Sequence, residues 1–350
     1  MTTAADTAGA ELVEATLAAD GRRTRDALLD HLWRHGWRGE LYELVADYPM
    51  RPGKGLRPAL CLATCRAYGG RDEDALPAAV AIELLHNAFL VHDDICDDAR
   101  VRRGGEALHV RHGIPQALSA GDALAWAALG PLLEHAGGLR PRLAFDLLAE
   151  FDHLTRRTIE GHAAELSLRE RGPIGLDFDD YLRLVLGKTC WYSAIHPCRV
   201  GALLGSGGQA DLDPIARFGF FVGAVLQIHN DIGNLADRSD SDGENYGSDI
   251  IEGKLTLMLI HLLRTGSRVD REEALRLVGP AGDRSGVSAG ERIDRVIGLM
   301  EECGSIEHAS AFADGLAGGA LAEFADATAG LPESRDKAFL RSLVLHLRDP

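Results

Sequence analysis

The sequence predicts an all-α protein, one helical bundle spanning residues 1–350. Two observations carry this. Apolar residues recur at three- and four-residue spacing over many long segments, and no stretch sustains the period-two alternation of a half-buried strand. Clusters of glycine and proline punctuate those segments at 49–55, 69–70, 104–105, 137–138, 172–175 and 205–208. In chain order the expected helices cover 12–33, 56–68, 75–96, 143–168, 181–195, 214–235, 254–263, 292–303 and 306–327. Residues 1–10 read as disordered, and 266–290 as a polar connector around a short helix.

Composition narrows the function. With 46% hydrophobic and 26% charged residues the chain is an ordinary globular protein, long enough for a sizeable core. A net charge of −16 argues against nucleic-acid binding and requires any anionic substrate to be caught by local cations or metals. The six cysteines form no Cys-x-x-Cys pair, which fits reduced thiols; Cys61 and Cys65 read as buried small apolar side chains. The N-terminus lacks a basic-then-apolar leader, and the longest uninterrupted apolar run, 218–226, is too short to span a bilayer. The expected location is the cytoplasm.

The chemistry is concentrated in His92-Asp93-Asp94-Ile95-Cys96-Asp97-Asp98, followed by Arg102-Arg103-Gly104. Four carboxylates so close together need a counter-charge. Asp93 and Asp97 are one turn apart on one helical face, close enough to share divalent cations, and hard ions of the Mg²⁺ type complete their shell with phosphate oxygens. The arginine pair supplies phosphate donors. Seven residues before Asp93, His86 returns to the same face, with Phe89 between them, so a polar rim stands over an aromatic floor.

A second polar stripe, Gln227, Asn230, Asp231 and Asn234, shares one face of an otherwise apolar helix and is costly there unless paired or ion-bound. Two such helices facing each other would form a metal cage, whereas the plainer reading is a pair of hydrogen-bonded core networks. Basic residues occur where phosphates would be wanted: Lys54 and Arg57 at a turn opening a helix, Lys188-Thr189 within an apolar helix, and Lys254 after Gly253. By contrast, Asp177, Asp179 and Asp180 precede a helix and read as caps. Asp237, Asp240 and Asp242 read as a solvated loop.

These residues resemble the trans-isoprenyl (polyprenyl) diphosphate synthases, similar to geranylgeranyl and farnesyl diphosphate synthases, from about Arg51 to Leu263. His86 through Asp98 resembles the family's first Asp-rich motif. Gly53-Lys54-Gly55-Leu56-Arg57-Pro58, Gly187-Lys188-Thr189 and Gly253-Lys254-Leu255-Thr256-Leu257 resemble three further elements in the family's order. The resemblance implies the isoprenoid synthase fold with a central active-site cavity, a homodimer, and Mg²⁺, three ions bridging a diphosphate. It implies that Lys54, Arg57, His86 and Arg103 hold isopentenyl diphosphate, and that Arg102, Lys188, Thr189, Gln227 and Lys254 serve an allylic diphosphate. Asp93, Asp94 and Asp97 would bind metal from one side and Asn230, Asp231 and Asn234 from the other, with Asp93, Asp97, Arg102, Lys188 and Lys254 carrying catalysis.

The chain departs from the family at the second Asp-rich motif, which reads Asn230-Asp231-Ile232-Gly233-Asn234, at Glu244 in place of a lysine, and at Gly55 in place of an arginine. Small Ala88 with Phe89 in the preceding turn suggests a C20 product, with C15 next. Two other readings compete. A class I terpene cyclase on the same fold would use Asn230-Asp231 as the start of its motif, but that motif's last position falls on Arg238. A non-catalytic subunit of a heteromeric synthase would not need a complete first Asp-rich motif.

Overall fold

The computed structural model describes residues 4–35, 38–236 and 246–348. Helices dominate it: α1 (Ala4–Arg34), α2 (Gly39–Met50), α3 (Leu56–Ala67) and α4 (Asp72–Cys96) precede a two-stranded hairpin, β1 (Val101–Arg102) and β2 (Gly105–Glu106). Then come α5 (Leu108–His112), α6 (Ile114–Ala127), α7 (Leu129–Ala136), α8 (Pro141–Arg171) and α9 (Phe178–Val185). A π-helical stretch, Leu186–Ile195, leads into α10 (His196–Gly205), followed by α11 (Asp213–Ala236), α12 (Ser248–Glu252), α13 (Leu257–Thr265) and α14 (Arg268–Leu277). The chain closes with α15 (Gly279–Asp283), α16 (Ala289–Glu302), α17 (Ser305–Ala327) and α18 (Arg335–Arg348).

Contacts divide the chain into two compact units, where the sequence suggested one: residues 1–155, 192–219 and 320–350, and residues 156–191 with 220–319. In the first unit α3 packs on α4 and α10. The approach to α10 is close because Gly201 and Gly205 lack side chains; a Cβ there would lie 2.4 Å from the Cys61 carbonyl oxygen and 2.3 Å from that of Cys65. Cys61 and Cys65 are fully buried in this contact, and burial pushes the Cys65 thiol up to about 12, consistent with the inert role read from sequence. In the second unit Tyr181, Ile228, Leu257, Leu262, Leu277 and Val296 are buried together with the rest of an aliphatic core.

Several expectations are corrected. Helix α1 starts at Ala4, inside the stretch read as disordered. The connector 266–290 is largely helical: Ser267 caps α14 by accepting from Asp270 N at 3.2 Å, and α15 follows. Lys254 precedes its helix, because Gly253 is left-handed at φ 73° and Thr256 caps α13 by accepting from Leu259 N. The helix expected over 181–195 is α9 plus the π stretch. Helix α4 is long and apolar enough to cross a membrane by composition, contrary to the reading from the 218–226 run, but 67% of its apolar window is buried within the protein. The sequence reading did not include α2, α5, α6, α7, α10, α12 or α18.

Candidate active site

Each unit carries its own cluster. In the first, α4 is capped by Asp97, whose N–H donates to the Asp93 carbonyl at 2.8 Å, so the two side chains do stand one turn apart, both half-buried. The chain reverses at once: Arg103 and Gly104, at φ 52° and 76°, are the central residues of the β1–β2 turn, the pair of positive φ values that a type I′ hairpin requires. Arg51 fixes this hairpin by donating to the carbonyls of Arg102, Gly105 and Glu106. A positive φ at a non-glycine residue is strained, and here it aims two arginines in different directions.

Arg102 turns back to Asp94, which is fully buried and also accepts from the Tyr48 hydroxyl at 2.5 Å. The expected metal ligand Asp94 is therefore a buried ion-pair partner that holds Arg102. Burial works against the Arg102 charge, but Asp94 more than offsets it.

Arg103 instead approaches His86 Nε2 at 3.4 Å, and Arg57 donates to the same nitrogen at 3.2 Å. Burial, then the Arg57 and Arg103 charges, hold the His86 imidazole well below its ordinary value, so the ring is neutral. With Nε2 accepting, the ring proton sits on Nδ1, which is buried without a hydrogen-bond partner among the described residues, as is Arg57 Nε. Arg57 also donates to Ser193 Oγ at 2.8 Å and lies 4.4 Å above the Tyr192 ring, which meets Phe89 edge-on at 5.7 Å. Lys54 is exposed in the turn before α3. Gly55 must be glycine: its Cβ would fall 2.7 Å from the Leu17 carbonyl oxygen and 2.9 Å from Gly21 Cα, so α1 occupies the place of a side chain here.

The second cluster is built on α8, the π stretch, α11 and α12. Gly161 of α8 meets the π stretch backbone to backbone, since its Cβ would lie 2.3 Å from Lys188 N. A π bulge at such a crossing displaces the following side chains from α-helical phase. Thr189 donates to Gln227 Oε1 at 2.8 Å, Gln227 to Asp231 Oδ1 at 2.6 Å, and Tyr181 to Asp231 Oδ2 at 2.9 Å. Burial, then the Asp249 charge, push the Asp231 carboxyl up. Asn234 donates to Ser248 Oγ and accepts from Asp249 N, using both ends of an amide as no carboxylate could. Asn230 is exposed. Of the expected ligands on this helix, Asp231 and Asn234 thus hold protein partners.

Both lysines of this cluster are paired. Lys188 meets Glu165, which also takes Arg169 at 3.0 Å; Lys254 meets Glu252 at 2.6 Å and Asp249 at 3.3 Å. Burial opposes the Glu165 charge, but Lys188 and Arg169 outweigh it and the carboxyl lies below its ordinary range. Asp177 and Asp180 form a reciprocal capping box at α9, as read from sequence. Glu244, Arg238, Asp237, Asp240 and Asp242 lie outside the described residues.

Sequence reasoning missed Tyr48, Tyr192, Ser193, Glu165, Arg169, Asp249 and Glu252. For Tyr192 and Ser193 a signal existed, since they follow Lys188-Thr189 within one turn. Tyr48 and Glu165 gave none, because their partners are 46 and 23 residues away.

The donor set fits hard divalent cations. Asp93 and Asp97 offer oxygen ligands from one face, as Mg²⁺ prefers. Comparison with known proteins agrees with this chemistry. The model of the family described as Polyprenyl synthetase matches residues 39–289. The short chain isoprenyl diphosphate synthase of Methanothermobacter thermautotrophicus is 33% identical over 261 residues, covering 75% of this chain and 76% of that protein. The geranylgeranyl diphosphate synthase of Methanosarcina mazei is 30% identical over 284 residues, covering 81% and 82%. Among solved structures, geranylgeranyl pyrophosphate synthetase from Pyrococcus horikoshii Ot3 superposes with a TM-score of 0.83 at 26% identity, covering 97% of this chain and 98% of that one.

Proposed function

Because this chain belongs to the polyprenyl synthetase family, we propose that it is a prenyltransferase that condenses an allylic diphosphate with isopentenyl diphosphate to a short trans-prenyl diphosphate, C20 with C15 next. The observation that carries the two-substrate reading is the Arg57, His86 and Arg103 cluster: guanidinium groups converge on a neutral imidazole, with buried donors on Arg57 and His86 lacking partners. A diphosphate would satisfy those donors, and Lys54 stands in the adjacent turn. A cyclase, which takes one diphosphate, has no use for this site. We assign it to isopentenyl diphosphate.

We assign the allylic diphosphate to Arg102, Lys188, Thr189, Gln227 and Lys254, and Mg²⁺ contact to Asp93, Asp97 and, with fewer charges, Asn230, Asp231 and Asn234. Asp94 is assigned to orienting Arg102. Mg²⁺, when bound, supplies charge that stabilises the leaving diphosphate. The allylic carbon–oxygen bond breaks as the diphosphate leaves, the alkene of isopentenyl diphosphate attacks the cation to form the new carbon–carbon bond, and a proton is lost. Lys188 and Lys254 would exchange their carboxylate partners for phosphate oxygens as negative charge develops. Arg57 and Arg103 would fix the attacking alkene in position.

We further propose a cytoplasmic homodimer. The cysteines are all unbridged, and Ile114, Leu118, Trp126 and Leu133 on α6 and α7 are large apolar side chains left exposed, a surface suited to a second copy. The deciding experiment is incubation with Mg²⁺ and geranyl or farnesyl diphosphate, with and without isopentenyl diphosphate. Chain growth that requires isopentenyl diphosphate is expected; hydrocarbon formed without it would make the protein a cyclase. Phe89→Ala is expected to lengthen the product, and unchanged chain length would remove Phe89 from the pocket floor.

A further inference from the structure

We propose that His31, His35 and Glu134 form a binding site for a divalent transition-metal ion of the Zn²⁺ type, separate from both acidic clusters and different from them in chemistry. Their ligand atoms all lie within 4.8 Å of one another. His31 and His35 are one helical turn apart at the end of α1, and the His35 N–H still donates to the His31 carbonyl at 3.1 Å, which keeps the two rings on one face. Their centroids are 4.2 Å apart. Glu134 reaches in from α7, with Oε1 2.7 Å from His35 Nε2.

Close packing makes this more than an ion pair. The His31 ring is buried, at 5% exposure, against α7. Gly130, one turn before Glu134, leaves room for that ring; a Cβ there would lie 2.8 Å from His31 Nε2. The nearby Arg34 charge is already met by Asp30 at 2.7 Å, leaving Glu134 as the anion of the set. Two imidazoles and a carboxylate suit Zn²⁺, Co²⁺ or Ni²⁺, whereas Mg²⁺ prefers oxygen throughout. Three protein ligands leave a fourth position for water. A bound ion would tie the end of α1 to α7.

The test uses the full chain, free of any affinity tag, titrated with Co²⁺ and with Zn²⁺ in excess Mg²⁺ that occupies the oxygen sites. Visible absorption of Co²⁺ reports nitrogen ligation, and competition gives the Zn²⁺ affinity. One ion per chain is expected, with Zn²⁺ raising the melting temperature. Because His31 is buried, the exposed ligands are changed: His35→Gln and Glu134→Gln are each expected to lose at least about tenfold in affinity and to abolish the thermal shift. Asp93→Asn with Asp97→Asn is expected to keep the site. The proposal fails if wild type does not bind, if the His35 and Glu134 variants bind as wild type does, or if the aspartate variant is the one that loses the ion.

Discussion

The basic residues of the two units keep different company. In the first unit Arg57 and Arg103 converge on a neutral imidazole, so their charge stays available for an anion. In the second, Lys188 and Lys254 are held by Glu165, Glu252 and Asp249. A phosphate arriving at the first meets arginines hydrogen-bonded to neutral groups, with the Glu83 carboxylate acting on them from nearby, whereas one arriving at the second must displace carboxylates. The second unit is also where the acidic motif has amides at Asn230 and Asn234. The difference teaches that binding at the two sites responds to different variables: the first to protein cations already in place, the second to how much metal charge can be recruited.

The contrast can be broken most severely at the intact carboxylates. Asp97→Asn is expected to lower kcat by about 1,000-fold, near 4 kcal/mol, measured at saturating Mg²⁺. A loss below tenfold would mean that the first cluster does not serve the leaving group. Next, Glu165→Gln leaves Lys188 and Arg169 without their shared buried carboxylate and is expected to destabilise the fold by about 3 kcal/mol in urea denaturation. An unchanged midpoint would show that the pairing is only incidental.

The neutral imidazole gives a pH signature to the first unit. Its folded pKa is depressed, so the unfolded chain binds the proton more readily; His86 contributes stability above pH about 6.5 that is lost as pH falls below it, by up to about 1.4 kcal/mol per pH unit. His86→Gln should flatten that part of the stability profile, and an identical slope in both proteins would refute a neutral His86. The smallest effect is expected at Asn230→Asp. One added exposed carboxylate contributes about 1 kcal/mol to cation attraction, so the Mg²⁺ concentration at half-maximal activity should fall roughly fivefold. No change would place Asn230 away from the metal.

Much of the site was legible because its signals are local. Asp93 and Asp97 share a face by helical arithmetic alone, and Asp177 could be read as a cap from the residues beside it. What sequence could not separate was Asp93 from Asp94. Both belong to one acidic cluster, yet Asp94 is consumed by Arg102 and by Tyr48, 46 residues earlier. The same holds for Asn234, whose apparent loss of charge is an amide's double hydrogen bond to Ser248 and Asp249.

The sequence by itself determined the all-α class, the order of the motifs and the chemical type of each cluster, because periodicity, capping and i to i+4 spacing act within a turn or two of chain. Only the tertiary structure decided which charges are spent on the protein and which remain for a ligand. That distinction depends on partners distant in sequence, on burial that shifts protonation, and on close backbone approaches such as Gly55 against Gly21 and Gly161 against Lys188, none of which a local pattern encodes.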